Sequence, residues 1–200
     1  EYIDKFGFTE KTDVDLQGEV FSINKNLKSG RDINLATASF GQGIEMTPLH
    51  LVRAFAVIAN GGKLVKPYVV EKIINVKEEI QIEPQTQRQE VITQITASQL
   101  TTMLISAVEN GFGKRARVPG YYIAGKTGTA QVIAEGRKGY LPNQTIQSFI
   151  GYAPALNPQF LILVKLDNPK TRTAEYSAAP IFQKLVKYII DLRQIPPDYE

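Results

Sequence analysis

The sequence predicts an α+β fold, an antiparallel sheet flanked by helices, and three observations carry that prediction. Three strand-like runs, residues 121–133, 146–153 and 160–166, follow one another through short polar connections, which makes them antiparallel neighbours. Amphipathic helical stretches stand on either side of the three runs. The 200 residues are 43% hydrophobic, enough to build a packed core for one domain or one lobe of a larger one.

Residues 1–45 are rich in Gly, Asp, Asn, Lys and Thr and read as an irregular segment with a few brief strands or turns. Residues 46–120 read as helices and short strands. Thr47 is a suitable N-cap and Pro48 suits the first helical position, where its missing N–H costs nothing. Leu51, Val52, Phe55, Ile58 and Ala59 recur at helical spacing, and Gly61-Gly62 supplies a stop. Tyr68, Val69, Val70, Ile73 and Ile74 favour a strand over residues 66–74. Residues 75–90, charged and Gln-rich, read as a solvent-exposed hairpin or loop.

In Thr96-Ala97-Ser98-Gln99 the Thr hydroxyl and Gln amide can satisfy free N–H groups of a first turn, which predicts a helix start there. Leu100, Met103, Leu104, Ala107 and Val108 form its apolar stripe, and Asn110-Gly111 ends it. Residues 121–200 read as the three-stranded antiparallel sheet and a terminal helix. A polar loop over residues 134–145 separates the first two strands, and residues 154–159 separate the others. The terminal helix starts near Ser177, tolerates Pro180 in its first turn and buries Ile181, Phe182, Leu185, Val186, Ile189 and Ile190 against one sheet face. Pro196-Pro197 stops it.

Composition narrows the chemistry. With no Cys and a single His, disulfides, thiolate metal sites, Cys nucleophiles, a His-rich metal centre and a Ser-His-Asp triad are all disfavoured. No cofactor is expected. The net charge of +3 comes from interspersed charges without a basic run, so nucleic acid is not an expected partner. The longest apolar run, residues 54–59, is far short of the roughly 20 residues that cross a bilayer.

The stretch Ala124-Gly125-Lys126-Thr127-Gly128-Thr129-Ala130-Gln131 carries the chemistry. Small and polar residues stand where a strand would gain from bulky apolar ones, and glycine inside a strand marks close approach of a ligand or another backbone. Gly128 leaves room for an extended peptide or flat ring along the strand edge. Thr127 and Thr129 offer hydroxyls and Lys126 a positive charge, a set suited to a carboxylate. The Thr129 backbone N–H can donate to a developing oxyanion. Alone, Lys-Thr-Gly is a weak signal.

The order of motifs is not weak. Phe6-Gly7-Phe8, Asp15-Leu16-Gln17-Gly18-Glu19, Ala36-Thr37-Ala38-Ser39-Phe40-Gly41-Gln42-Gly43, Thr47-Pro48-Leu49, Asn60-Gly61-Gly62, the lysine motif and Gly151-Tyr152-Ala153-Pro154 follow one another as in the penicillin-binding transpeptidases. The chain most resembles their class B, monofunctional group. That resemblance implies the C-terminal portion of a penicillin-binding/serine β-lactamase-like transpeptidase fold. It also implies a D,D-transpeptidase that cross-links peptidoglycan stem peptides through an acyl-serine intermediate, the step β-lactam antibiotics intercept. By the same resemblance Lys126 and Thr129 are catalytic. Lys126 holds positive potential and assists proton transfer, and the Thr129 N–H forms half of the oxyanion hole. Thr127, Gly128 and Thr129 bind substrate, the two hydroxyls taking its carboxylate. Expected partners are the stem peptide, β-lactams and the proteins of cell division or elongation. The expected location is the extracytoplasmic side of a bacterial cytoplasmic membrane, with the anchor outside these residues.

The family's Ser-x-x-Lys and Ser-x-Asn motifs precede the region matched here. Ser22-Ile23-Asn24-Lys25 satisfies both formally, but one serine cannot fill two roles, and residues 20–26 lack the helical periodicity that would put Ser and Lys on one face. The chain is therefore expected to hold one catalytic motif of three and not to be acylated alone. A related carboxypeptidase or β-lactamase, or a non-catalytic β-lactam-binding module, are the other readings of Lys-Thr-Gly. His50 is expected to serve packing or lie at the surface, Gln42 either to shape a turn near the cleft or to sit in a backbone turn, and Lys114-Arg115-Arg117 to form a solvated turn. Residues 135–139 are expected to form a lip above the cleft.

Overall fold

A computed structural model describes residues 1–76, 78–82, 89–134 and 139–199. The first 45 residues, expected to be irregular with brief strands, instead carry three short helices: α1 (Tyr2–Lys5), α2 (Lys25–Lys28) and α3 (Asp32–Ala38). None buries a residue, so none imposes the apolar stripe by which a helix is recognised in sequence.

Helix α4 (Pro48–Ala59) begins as its cap residues require, with the Thr47 hydroxyl accepting from the His50 N–H. Gly61 and Gly62 follow at φ 79° and 104°. A Cβ on Gly62 would collide with the Ile92 carbonyl, so the turn demands glycine. Two small antiparallel pairs come next: β1 (Lys63–Leu64) with β4 (Gln89–Glu90), and β2 (Lys72–Ile74) with β3 (Glu79–Gln81). The strand expected over 66–74 is reduced to β2. Its first half is unpaired because the Asp15 carboxylate takes the Val69 and Val70 N–H groups, each at 2.8 Å, in place of a neighbouring strand. The β2–β3 hairpin takes its first strand from the segment expected to be a strand and its second, Glu79–Gln81, from the segment expected to be a hairpin or loop.

Helix α5 (Gln94–Glu109) starts earlier than its Thr96-x-x-Gln99 pattern suggests. Thr93 is the N-cap, its hydroxyl accepting from the Thr96 N–H at 3.2 Å. Ala97 and Val108 are buried, while Met103, expected in the stripe, is exposed.

The main sheet is a meander in the order β5 (Ala124–Ile133), β6 (Tyr140–Ala153), β7 (Phe160–Asp167), all antiparallel. Much of the loop expected over 134–145 is strand. Pairing resumes at Ile133 with Tyr140 after a register irregularity, and Asn143 takes a positive φ of 59°. Helix α6 (Ala178–Arg193) covers one sheet face: Phe182 meets Phe149 at 4.6 Å between ring centroids, and Val186 and Ile190 complete the core. Ile181 and Leu185, expected to be buried, are exposed, and Ile189 is half-buried. Small residues Ala178 and Ala179 pack there instead and bring the helix close to the sheet. The opposite face is covered too, by α4 and α5. Tyr152 on β6 packs against Phe55 and shares a 2.7 Å hydrogen bond with the Thr101 hydroxyl. Burial pushes the Tyr152 phenol pKa up, and that hydrogen bond opposes it.

The N-terminal segment is tied to α4 by polar groups. His50 is buried, with Nδ1 at 2.7 Å from the Thr47 hydroxyl and Nε2 at 2.7 Å from the Glu10 carbonyl, so it serves packing, as expected. Glu19 accepts from the Thr12 N–H and hydroxyl at 2.7 and 2.6 Å and from the Asp13 N–H at 3.1 Å. Desolvation alone would raise the Glu19 pKa, but these hydrogen bonds outweigh it and hold the carboxyl below its ordinary value. A depressed carboxylate contributes stability above its unfolded pKa and loses it as pH falls through the folded one. Hydrogen exchange is therefore expected to show the Thr12 and Asp13 amides losing protection as the pH falls below the ordinary glutamate range. In Glu19→Gln that change should be absent and protection lower at pH 7.

Candidate active site

The lysine motif lies on β5, an edge strand whose single neighbour among the described residues is β6. Half of its backbone N–H and C=O groups are thus free of the ladder and available to an extended ligand. Pairing is in register across the motif: Lys126 opposite Ile150, Thr127 opposite Phe149, Gly128 opposite Ser148, Thr129 opposite Gln147. Alternation then divides the motif between faces. Thr127 and Thr129 share the α6 face with Phe149, whereas Lys126 and Gly128 share the α4/α5 face with Tyr152. A ligand meeting both the ammonium and the hydroxyls must lie along the free edge.

Lys126 and Thr129 are exposed and Thr127 is half-buried. The Lys126 ammonium makes a 3.0 Å hydrogen bond to the Thr127 carbonyl, and no described carboxylate neutralises it. The Thr129 hydroxyl accepts from the Ala174 N–H at 3.4 Å. Gly128 has a reason within the sheet as well as beside it, since a Cβ there would stand 2.7 Å from the Ser148 hydroxyl. Gly125 is more constrained: its Cβ would stand 2.7 Å from the buried Phe149 ring.

A model of the penicillin binding protein transpeptidase domain matches residues 1–187. The chain belongs to the penicillin-binding protein transpeptidase family. It is 39% identical over 192 residues to the stage V sporulation protein D of Bacillus subtilis, a match that covers 94% of this chain and 29% of that one. A peptidoglycan D,D-transpeptidase FtsI homolog from Mesostigma viride is 30% identical, with 98% of this chain and 36% of the relative covered. Penicillin-binding protein 3 of Mycobacterium tuberculosis, crystallised with ampicillin, superposes with a TM-score of 0.85 at 31% identity, covering 98% of this chain and 46% of that one. The chain thus spans about a third of the length of the curated relatives it matches. The class B resemblance and the helix-flanked antiparallel sheet expected from sequence both agree with these relatives.

Within this penicillin-binding transpeptidase domain, the other sequence candidates are placed as follows. Ser22 lies outside any helix. Its hydroxyl donates to Glu45 at 2.8 Å and accepts from the Asn24 N–H at 3.2 Å, while Lys25 opens α2. An open cleft of about 490 Å³ beside it, bounded by Phe21, Ile23, Ile44 and Glu45, includes none of the lysine-motif residues. Gly41 and Gly43, at φ 83° and 69°, make the turn that carries Gln42. The basic cluster is not merely solvated: Arg115 stacks 4.5 Å over Tyr176, and Arg117 pairs with Glu109 at 3.0 Å. Of the expected lip, residues 135–138 lie outside the described residues. Among the described residues no group of His, Cys, Asp or Glu is placed to hold a metal ion.

Sequence reasoning passed over Gln147 and the 171–177 segment. Gln147 is fully buried in β6 and bonded to Thr145, Thr171 and Ser177. The signal was a lone amide inside the apolar run of residues 146–153, which a two-residue period assigns to the core side with Phe149.

Proposed function

We propose that the chain is the lysine-motif portion of a class B D,D-transpeptidase that cross-links peptidoglycan stem peptides and is acylated by β-lactams. The observation that carries this is the exposed, unneutralised Lys126 beside two threonine hydroxyls on the free edge of β5, in a member of this family. An extended acyl donor lies along that edge, its terminal carboxylate bound by Thr127 and Thr129. The Thr129 N–H and the N–H of the attacking serine hold the carbonyl oxygen as it becomes an oxyanion. Lys126 supplies positive potential and assists the proton transfers that accompany serine attack and loss of the leaving amine. The amine of a second stem peptide then takes the acyl group and frees the serine.

The serine, with the Ser-x-x-Lys and Ser-x-Asn motifs, comes from polypeptide outside these 200 residues. The longer protein is held at the outer face of a bacterial cytoplasmic membrane by an anchor that also lies outside them. There it works with division or elongation proteins. Ampicillin bound to the Mycobacterium tuberculosis structure supports the same ligand class here.

Labelling with a fluorescent penicillin tests the reading. The 200-residue chain alone is expected to show no covalent label, and the longer polypeptide that includes the upstream motifs is expected to show one label per chain. Label on the short chain, or none on the long one, overturns it.

A further inference from the structure

We propose that Gln147 is a positioning residue that acts through the 171–177 segment to aim the Thr129 hydroxyl proton at the ligand's carboxylate. The inference rests on the transpeptidase reading and adds to it a residue that need not touch the ligand.

Gln147 uses its full hydrogen-bonding capacity. Its amide nitrogen donates to the Thr145 hydroxyl at 3.0 Å and the Thr171 carbonyl at 2.6 Å. Its amide oxygen accepts from the Thr171 hydroxyl at 3.0 Å and the Ser177 hydroxyl at 2.5 Å. The Thr171 carbonyl fixes the orientation, because a flipped amide would set two carbonyl oxygens against each other. One side chain therefore clamps both ends of the segment from Thr171 to Ser177.

Ala174 lies at the middle of that segment, fully buried, and opens the single 3-10 turn Ala174–Tyr176. As the first residue of the turn it has no partner for its N–H within the turn. That N–H points at the Thr129 hydroxyl oxygen, 3.4 Å away. A hydroxyl that accepts on one side keeps its own proton to donate elsewhere, and Thr129 is exposed, so that proton is free to turn to a ligand along the edge. Accepting from Ala174 also polarises the O–H and makes it a better donor to an anion. An apolar residue at 147 could fill the core but could not hold residues 171 and 177 at once. A buried amide with all its partners present specifies one arrangement of its surroundings.

The test uses the longer polypeptide carrying the attacking serine. It compares acylation by a penicillin with a free carboxylate and by its methyl ester, in wild type, Gln147→Leu, Thr129→Val and the double variant. Gln147→Leu is expected to lower kcat/KM for the free acid roughly tenfold, the scale of one hydrogen bond to a charged group, mainly through KM. The methyl ester should be nearly unaffected. On the Thr129→Val background, Gln147→Leu should add little, because both act on one contact. Equal losses for acid and ester, or additive losses in the double variant, overturn the proposal and leave Gln147 a packing residue. If Gln147→Leu does not fold, Ser177→Ala, which removes one bond of the clamp, should show the same acid-selective loss in smaller measure, and an unselective loss overturns the proposal equally. Wild-type protein that neither ligand acylates would sink the transpeptidase reading itself, and this inference with it.

Discussion

Lys126→Ala in the longer, serine-bearing polypeptide is expected to slow acylation by penicillin about 10²- to 10³-fold, the scale of losing one preorganised electrostatic or proton-transfer group. The ammonium is exposed and its recorded hydrogen bond goes to a backbone carbonyl, so no buried ion pair breaks and the fold should be unaffected. Melting temperature should stay within a degree or two of wild type while the acylation rate collapses. Lys126→Arg keeps the charge but replaces a compact ammonium with a broader, permanently charged fork, and should recover binding better than turnover. Stopped-flow labelling with a chromogenic β-lactam measures both. A Lys126→Ala protein that acylates at the wild-type rate would remove the side chain from the mechanism.

Gly125→Ala, one residue upstream, should fail in the opposite way. Its new Cβ would stand 2.7 Å from two atoms of the Phe149 ring and 3.1 Å from the Ile150 carbonyl. Phe149 cannot retreat, because it is buried and its ring packs on Phe182 across the interface with α6. Overpacking of this kind costs about 3 kcal/mol, at the upper end of the usual range since backbone as well as side chain must shift. For a chain of this size that lowers the melting temperature by about 6–12 °C. Gly128→Ala supplies the contrast. Its Cβ would meet only the Ser148 hydroxyl, which can rotate away, so its loss should be markedly smaller and should vanish in Gly128→Ala/Ser148→Ala. Thermal melts of the four proteins decide the matter; equal losses at Gly125 and Gly128 would contradict the packing argument.

What the sequence made legible were features with strong local causes. Thr47 and Pro48 set the start of α4, and the three apolar runs became the meander. The lysine motif was legible because its residues are poor choices for a strand unless something else uses them. Features with non-local causes were not legible. Nothing near Val69 and Val70 in sequence reveals that Asp15 will take their N–H groups and end the strand there. The N-cap of α5 went to Thr93 over Thr96, two similar candidates three residues apart. Ile181 and Leu185 looked buried because α6 has two apolar stripes, and periodicity alone does not say which one the sheet takes. The division of the lysine motif between sheet faces follows from strand alternation once the register is known, and the Ala174 contact to Thr129 depends on a loop more than 40 residues away.

The β5–β6–β7 meander has a kinetic consequence. Each strand pairs with its neighbour in sequence, across residues 134–139 and 154–159, so the chain closes only short loops to build the sheet. Loop-closure entropy is correspondingly low and such local pairings are fast to form. The edge that carries Lys126 and Thr129 can thus be assembled by a contiguous stretch of chain, early and without waiting for distant segments. A contiguous stretch therefore lays down the backbone edge, whereas the aim of the Thr129 hydroxyl waits for the remote 171–177 segment to dock.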